Sequence, residues 1–179
     1  GPIDGGTDGG PVDGGPRCAA YPAPVTVLLT APAKLTLSLR VTGVRDDGFH
    51  LIDAEMVSLD LVDELELDES GDGVTVVHDG IARPADPDDL VVRALAMVRR
   101  RAGVRLHKRI PAGAGLGGGS SDAAAVLRWA GMGDPRRAVE LGADVAFCLA
   151  GGRARVRGIG EEVEPLEPLE RTLTLYTPP

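Results

Sequence analysis

A mixed α+β fold, rather than regular βαβ alternation, is what this 179-residue sequence predicts. Three observations carry that reading. Leu35, Leu37, Leu39 and Val41 alternate with Thr36, Ser38 and Arg40, the period-two pattern of a half-buried strand. Further strand-like runs follow it with only turns between them. Helical patterns are confined to the middle of the chain, after which strand-like runs return near the end.

Residues 1–17 hold seven glycines and three prolines, and Gly1-Pro-Ile-Asp-Gly-Gly6 is nearly repeated as Gly10-Pro-Val-Asp-Gly-Gly15. Such a segment buries too little apolar surface to offset its chain entropy, so residues 1–24 read as a disordered tail. Order is predicted from Val25. Val25–Thr30 is apolar and β-branched, Ala31-Pro32 is expected to break it, and the strand at 35–41 follows. Arg45-Asp-Asp-Gly48 is a turn signal. Strands are expected near 55–59, 64–67 and 74–78, with a loop at 82–88 carrying Pro84 and Pro87. Asp88 or Asp89 can cap a helix to about Arg101, with Leu90, Val91, Leu95 and Val98 on its apolar face. A short strand at 104–110 ends at Pro111. A helix is predicted from about Ser121 to Trp129, and a shorter one reaches Leu141 after the break at 131–135. Residues 144–149 form an apolar run, Gly151-Gly152 turns, and 154–156, 163–166 and 173–176 read as strands.

Composition bounds the function. Two Tyr, two Phe and one Trp leave the core to Val, Leu, Ala and Ile, and a net charge of −8 argues against nucleic acid or an anionic membrane as partner. Cys18 and Cys148 make no metal or disulfide pattern, so Cys148, in its apolar run, reads as a buried free thiol. With no run of 18 apolar residues and no signal-peptide layout, the sequence predicts a soluble, cytoplasmic protein.

The strongest chemical signal is Lys108-Arg-Ile-Pro-Ala-Gly-Ala-Gly-Leu-Gly-Gly-Gly-Ser-Ser-Asp-Ala-Ala-Ala125, with five glycines between 113 and 119. A glycine-rich turn rich in free N–H groups and feeding a helix N-terminus is an anion cradle. Ser120 and Ser121 are natural N-caps for that helix. Gly113-x-Gly115-x-x-Gly118 formally fits the dinucleotide fingerprint, but Lys108–Pro111 is a poor buried strand before it. The Walker pattern fails because no Lys precedes Ser120. A plain surface linker would need neither Pro111 in front nor a strong helix behind.

Several stretches together resemble one family, the GHMP kinases: Ala31-Pro-Ala-Lys-Leu35, Asp47-Gly-Phe-His-Leu51, Asp89-Leu-Val91, Lys108–Ala125, Leu141-Gly-Ala-Asp-Val-Ala-Phe147, Gly151-Gly152 and Gly158-Ile-Gly-Glu161. They stand in the family's order across roughly residues 25–179. The resemblance implies an N-terminal α+β domain like ribosomal protein S5 domain 2, a mixed sheet with helices on one face, over residues 25–176. A second domain is expected to begin at 177–179. Within the family the similarity is to the branch that phosphorylates the 2-hydroxyl of a cytidine-diphosphate-linked methylerythritol, on the non-mevalonate route to isoprenoid precursors.

By that resemblance ATP and Mg²⁺ are the cofactors. Asp144 matches the catalytic base and Lys34 the lysine paired with it. Pro111, Ala112, Gly113, Ala114, Gly115, Leu116, Gly117, Gly118, Gly119, Ser120 and Ser121 match the triphosphate loop, and Lys108 and Asp89 match positions lining the adenine pocket. Thr36 stands at a substrate contact where the family usually has Asn. Phe49, in place of the commoner Tyr, and His50 match the pair that stacks on and hydrogen-bonds the cytosine. Metal ligands beyond the nucleotide phosphates are not assigned, a hydroxyl of Ser120 or Ser121 being the candidate. His78 and His107 match no role, and Trp129 reads as packing. Two alternatives stay open at this point: a GHMP kinase for another small alcohol such as homoserine or mevalonate, and a half-enzyme that binds nucleotide without turnover.

Overall fold

A computed structural model of the chain describes residues 26–176. The expected tail at 1–24 and the expected second-domain start at 177–179 lie outside the described residues. The first two elements are a long antiparallel hairpin, β1 (Thr26–Val44) and β2 (His50–Asp68). β3 (Val74–His78), β4 (Ile81–Pro84), α1 (Leu90–Met97), β5 (Gly103–His107) and α2 (Gly118–Trp129) follow. The remainder is α3 (Pro135–Ala138), α4 (Ala143–Ala150), β6 (Arg153–Gly158) and β7 (Glu162–Pro165).

One seven-stranded mixed sheet results, ordered β4-β3-β5-β2-β6-β7 with β1 on the other edge of β2. β2 is its spine: Ile52–Val57 pair with β6 and Glu64–Asp68 with β5, all antiparallel, while β3 and β5 run parallel. Burial along β2 shifts phase, from Ala54 and Met56 to Leu65 and Leu67. The shift falls where the pairing with β1 is irregular, between Pro32 and Lys34. A bulge of this kind re-aims side chains while the ladder continues.

The core lies between the sheet and the helices. Ser121–Leu127 of α2 and Val145–Leu149 of α4 are buried, and α2 packs against β1, α1 and α4. The run of alanines at 123–125 lets α2 approach the sheet closely. Cross-strand ion pairs populate other sheet positions, Asp53 with Arg155 and Glu55 with Arg153, while Glu66 hydrogen-bonds His107 and Glu64 pairs with Arg109 just past β5. The face toward the helices is mostly apolar, with Lys34 and Asp63 as its buried charged exceptions.

Several sequence expectations need correction. Ala31-Pro32 does not break the first strand; Pro32 sits at the bulge of a strand that, among the described residues, pairs with β2 alone, where a missing N–H is tolerated. The separate strands expected at 55–59 and 64–67 are one strand. Residues 81–84 are paired as β4 rather than loop, and α1 ends at Met97, before Arg99 takes φ 53°. β5 stops at His107, and α3 ends at Ala138. Residues 173–176 form no strand among the described residues.

Candidate active site

The glycine loop connects β5 to α2 and closes over Lys34. The Lys34 N–H donates to the Leu116 carbonyl at 2.9 Å, which fixes the loop on β1. Gly117 is the hinge. Its φ is +66°, and a Cβ there would lie 2.7 Å from Lys34 Cγ, so both conformation and space demand glycine. Gly117 also caps α2, which begins at Gly118; Ser120 and Ser121 are therefore inside the helix and not its caps. Ser121 is buried, and its hydroxyl donates to the Pro32 carbonyl at 2.6 Å. Of the two candidate metal hydroxyls that leaves Ser120, which is half-buried.

Lys34, 8 % exposed, reaches Asp144 in the first turn of α4: Nζ to Oδ2 is 3.0 Å. Its ammonium also donates to Thr36 Oγ1 at 3.2 Å, so the threonine orients the lysine from its own strand. Cys148 lies one turn further along α4 as the expected buried free thiol, and burial pushes its thiol up to about 12.

A cleft of 460 Å³ opens beside the loop, bounded by Pro111–Gly119, Lys108, Asp89, Asp122, Val76, His78, Arg83, Leu106 and Ile110. Its walls are apolar at Val76, Leu106 and Ile110, and its rim is N–H-rich at the start of α2, the arrangement a nucleotide needs. Asp89 caps α1, with Oδ1 accepting from the Val91 N–H at 2.8 Å, so it serves as both cap and cleft wall. At the floor, the Lys108 ammonium is held between Asp63 Oδ2 and Asp122 Oδ2, the latter at 2.6 Å. Asp63 Oδ1 also accepts the backbone N–H groups of Arg109 and Ile110. Burial drives the Asp122 carboxyl up to about 7 against the pull of Lys108. Burial lowers the Lys108 ammonium, but the two carboxylates outweigh it and the net shift is upward.

Sequence reasoning missed Asp63, Asp122, His78 and Arg83. Asp63 did carry a signal, because it shares parity with the inward Leu65 and Leu67 of β2. Asp122 carried another, as a lone charge at the head of a buried alanine run. Arg83 and His78 carried none, since only the β3–β4 hairpin brings them to the cleft.

Phe49 and His50 sit at the turn of the β1–β2 hairpin, apart from the Lys34–Asp144 pair along the strands. Phe49 is 56 % exposed, with the Arg45 guanidinium 5.4 Å from its ring centroid. Sheet register links the two places. Ile52 pairs with Gly158, and the turn after β6 brings Gly160 against the carbonyl of Ala143, next to Asp144. The hairpin turn and the start of α4 therefore flank one β6–β7 turn.

A seven-stranded mixed sheet carries a glycine loop at a helix N-terminus with a Lys–Asp pair beneath it, and residues 89–152 match the family described as the GHMP kinases N terminal domain. The chain belongs to the GHMP kinases. It is similar, more particularly, to 4-diphosphocytidyl-2-C-methyl-D-erythritol kinases. That of Paracoccus denitrificans (strain Pd 1222) is 45% identical over 152 residues, covering 83% of this chain and 55% of that protein. That of Delftia acidovorans (strain DSM 14801 / SPH-1) is 47% identical over 154 residues, covering 76% and 53%. A crystal structure of 4-(cytidine 5'-diphospho)-2C-methyl-D-erythritol kinase superposes with a TM-score of 0.61 at 38% identity, covering 78% of this chain and 55% of that one. The chain spans about half the length of the curated relatives it matches.

Proposed function

We propose that this chain carries the nucleotide loop and the reacting pair of a kinase that transfers the γ-phosphoryl group of ATP to the 2-hydroxyl of 4-diphosphocytidyl-2-C-methyl-D-erythritol. The observation that carries this is Lys34 Nζ at 3.0 Å from Asp144 Oδ2, under a loop whose main chain is bonded to Lys34 itself. Phosphoryl transfer needs positioning, charge stabilisation and an acceptor for the hydroxyl proton. Asp144 is one-third exposed and can take that proton as the substrate oxygen bonds to the γ-phosphorus and the bond to ADP breaks. Lys34, held by Asp144 and Thr36, faces the developing negative charge. The start of α2 and the loop N–H groups hold the triphosphate in the cleft.

Among the described residues no three His, Cys, Asp or Glu side chains cluster as a metal site. Mg²⁺ would be held mainly by the nucleotide phosphates, with the half-buried Ser120 as the protein hydroxyl at hand, and would neutralise phosphate charge. The exposed ring of Phe49 offers a stacking face for cytosine, with His50 next to it to bond the base edge. No described helix is long and apolar enough to cross a membrane. The proposed substrates are water-soluble, and on that ground the activity is placed in the cytoplasm. Asp144→Asn and Lys34→Ala should abolish phosphoryl transfer in a coupled ADP-release assay while ATP binding survives. Near-wild-type rates in either variant refute the role assignment.

A further inference from the structure

Beneath the nucleotide cleft lies a buried arrangement of charge to which the transfer step gives no role. Asp63 is 0 % exposed and Asp122 is 1 % exposed, and both bond the one ammonium of Lys108. Buried carboxylates are costly and persist only where their geometry is used. Asp63 has an evident use, since its other oxygen ties down the N–H groups that open the glycine loop. Asp122 has none: its Oδ1 is the single buried side-chain polar atom without a hydrogen-bond partner among the described residues. Its one polar contact is Lys108.

An ammonium has three N–H donors, and two of Lys108's are taken. Lys108 lines the cleft, and its Nζ lies 3.2 Å from where a Cβ of Gly118 would stand, at the first residue of α2. A lysine alone is a flexible point charge with four rotatable bonds. Pinned from two sides by side chains on β2 and α2, it becomes a donor of fixed direction at the floor of the cleft.

We propose that Asp122, with Asp63, is a positioning residue for nucleotide binding, holding Lys108 so that its third N–H meets an acceptor atom of the bound nucleotide. The inference rests on the reading of this cleft as the nucleotide site. The acceptor is either a ring nitrogen of the base or a phosphate oxygen. At 1 % exposed, Asp122 stands behind Lys108 at the cleft floor, so its effect on binding passes through Lys108.

The test is a double-mutant cycle on the full chain, with ATP–Mg²⁺ affinity measured by calorimetry for wild type, Asp122→Asn, Lys108→Met and the double variant. Asp122→Asn should weaken binding about tenfold, the scale of one misplaced charge-assisted hydrogen bond. In the Lys108→Met background the same change should do nothing further. Inorganic tripolyphosphate separates the two acceptors: its affinity falls in Asp122→Asn if the third N–H meets phosphate, and stays if it meets the base. Wild-type affinity in Asp122→Asn, or an undiminished loss in the Lys108→Met background, overturns the inference and leaves the nucleotide reading standing. Absence of ATP binding by the wild type overturns both. If Asp122→Asn does not fold, Asp63→Asn is carried through the same cycle; if neither folds, the pair is structural and the inference is wrong.

Discussion

Asp63→Ala is the substitution whose cost can be worked most closely from this structure. The side chain is fully buried on β2 and makes three bonds, to the Lys108 ammonium and to the backbone N–H groups of Arg109 and Ile110. Alanine leaves the Ile110 N–H buried without a partner and the Arg109 N–H partly so. Each such loss costs about 1–3 kcal/mol when water cannot replace the acceptor. Lys108 keeps Asp122, so its loss is smaller than the 3–5 kcal/mol typical of a wholly orphaned buried charge. The sum is about 4 kcal/mol, a large share of the 5–15 kcal/mol that holds a domain. Asp63→Asn is gentler, because its amide oxygen still accepts both N–H groups while its NH₂ opposes the ammonium; about 2 kcal/mol is expected. Urea unfolding at neutral pH, followed by far-UV circular dichroism, measures both. An alanine cost below about 1 kcal/mol, or an asparagine cost equal to it, refutes the account of Asp63 as a backbone tie.

Two further predictions follow from the same site. The Asp122 carboxyl is raised from 3.8 to about 7 by burial, so between those values the folded chain binds more protons than the unfolded one and stability falls as pH rises. Asp122→Asn should flatten that slope in unfolding midpoints taken from pH 4 to pH 8; an unchanged slope assigns it to another group. Gly117→Ala forces an L-residue to φ +66° and drives a Cβ into the Lys34 stem, costing about 1–2 kcal/mol of stability. Because Lys34 must swing from Asp144, kcat should fall more than ATP affinity, and equal losses in both would refute the hinge role.

What the sequence showed and hid divides along physical lines. The glycine loop, the alternating strand at 35–41 and the Asp89 cap were legible because each depends on residues adjacent in the chain. The continuity of β1 through Pro32 was not, because it depends on β2 lying alongside and on Ser121 donating to the Pro32 carbonyl from 89 residues away. The start of α2 was misplaced for a related reason. Serine is the usual cap, but here the cap must also make room for Lys34, and only Gly117 does so. Residues 173–176 carry strand-like alternation, yet Leu173, Leu175 and Tyr176 are exposed and pair with nothing among the described residues. Alternation describes a half-buried surface and supplies no neighbour.

Register accounts for the charged floor of the cleft as well. On β2 the inward positions are Leu65 and Leu67, and on β5 they are Val104 and Leu106. Leu65 pairs with Leu106, so one step of two residues along each strand sets Asp63 beside Lys108, both inward. Two opposite charges therefore occupy positions the pattern reserves for leucine, Asp63 on β2 and Lys108 one residue past the end of β5. Either alone would be expelled or neutralised; together they are tolerated, and Asp122 of α2 completes the enclosure from the helix side. A departure from binary patterning that is satisfied across three elements, directly under a glycine-rich helix start, marks the place where the fold gives up stability for a fixed donor.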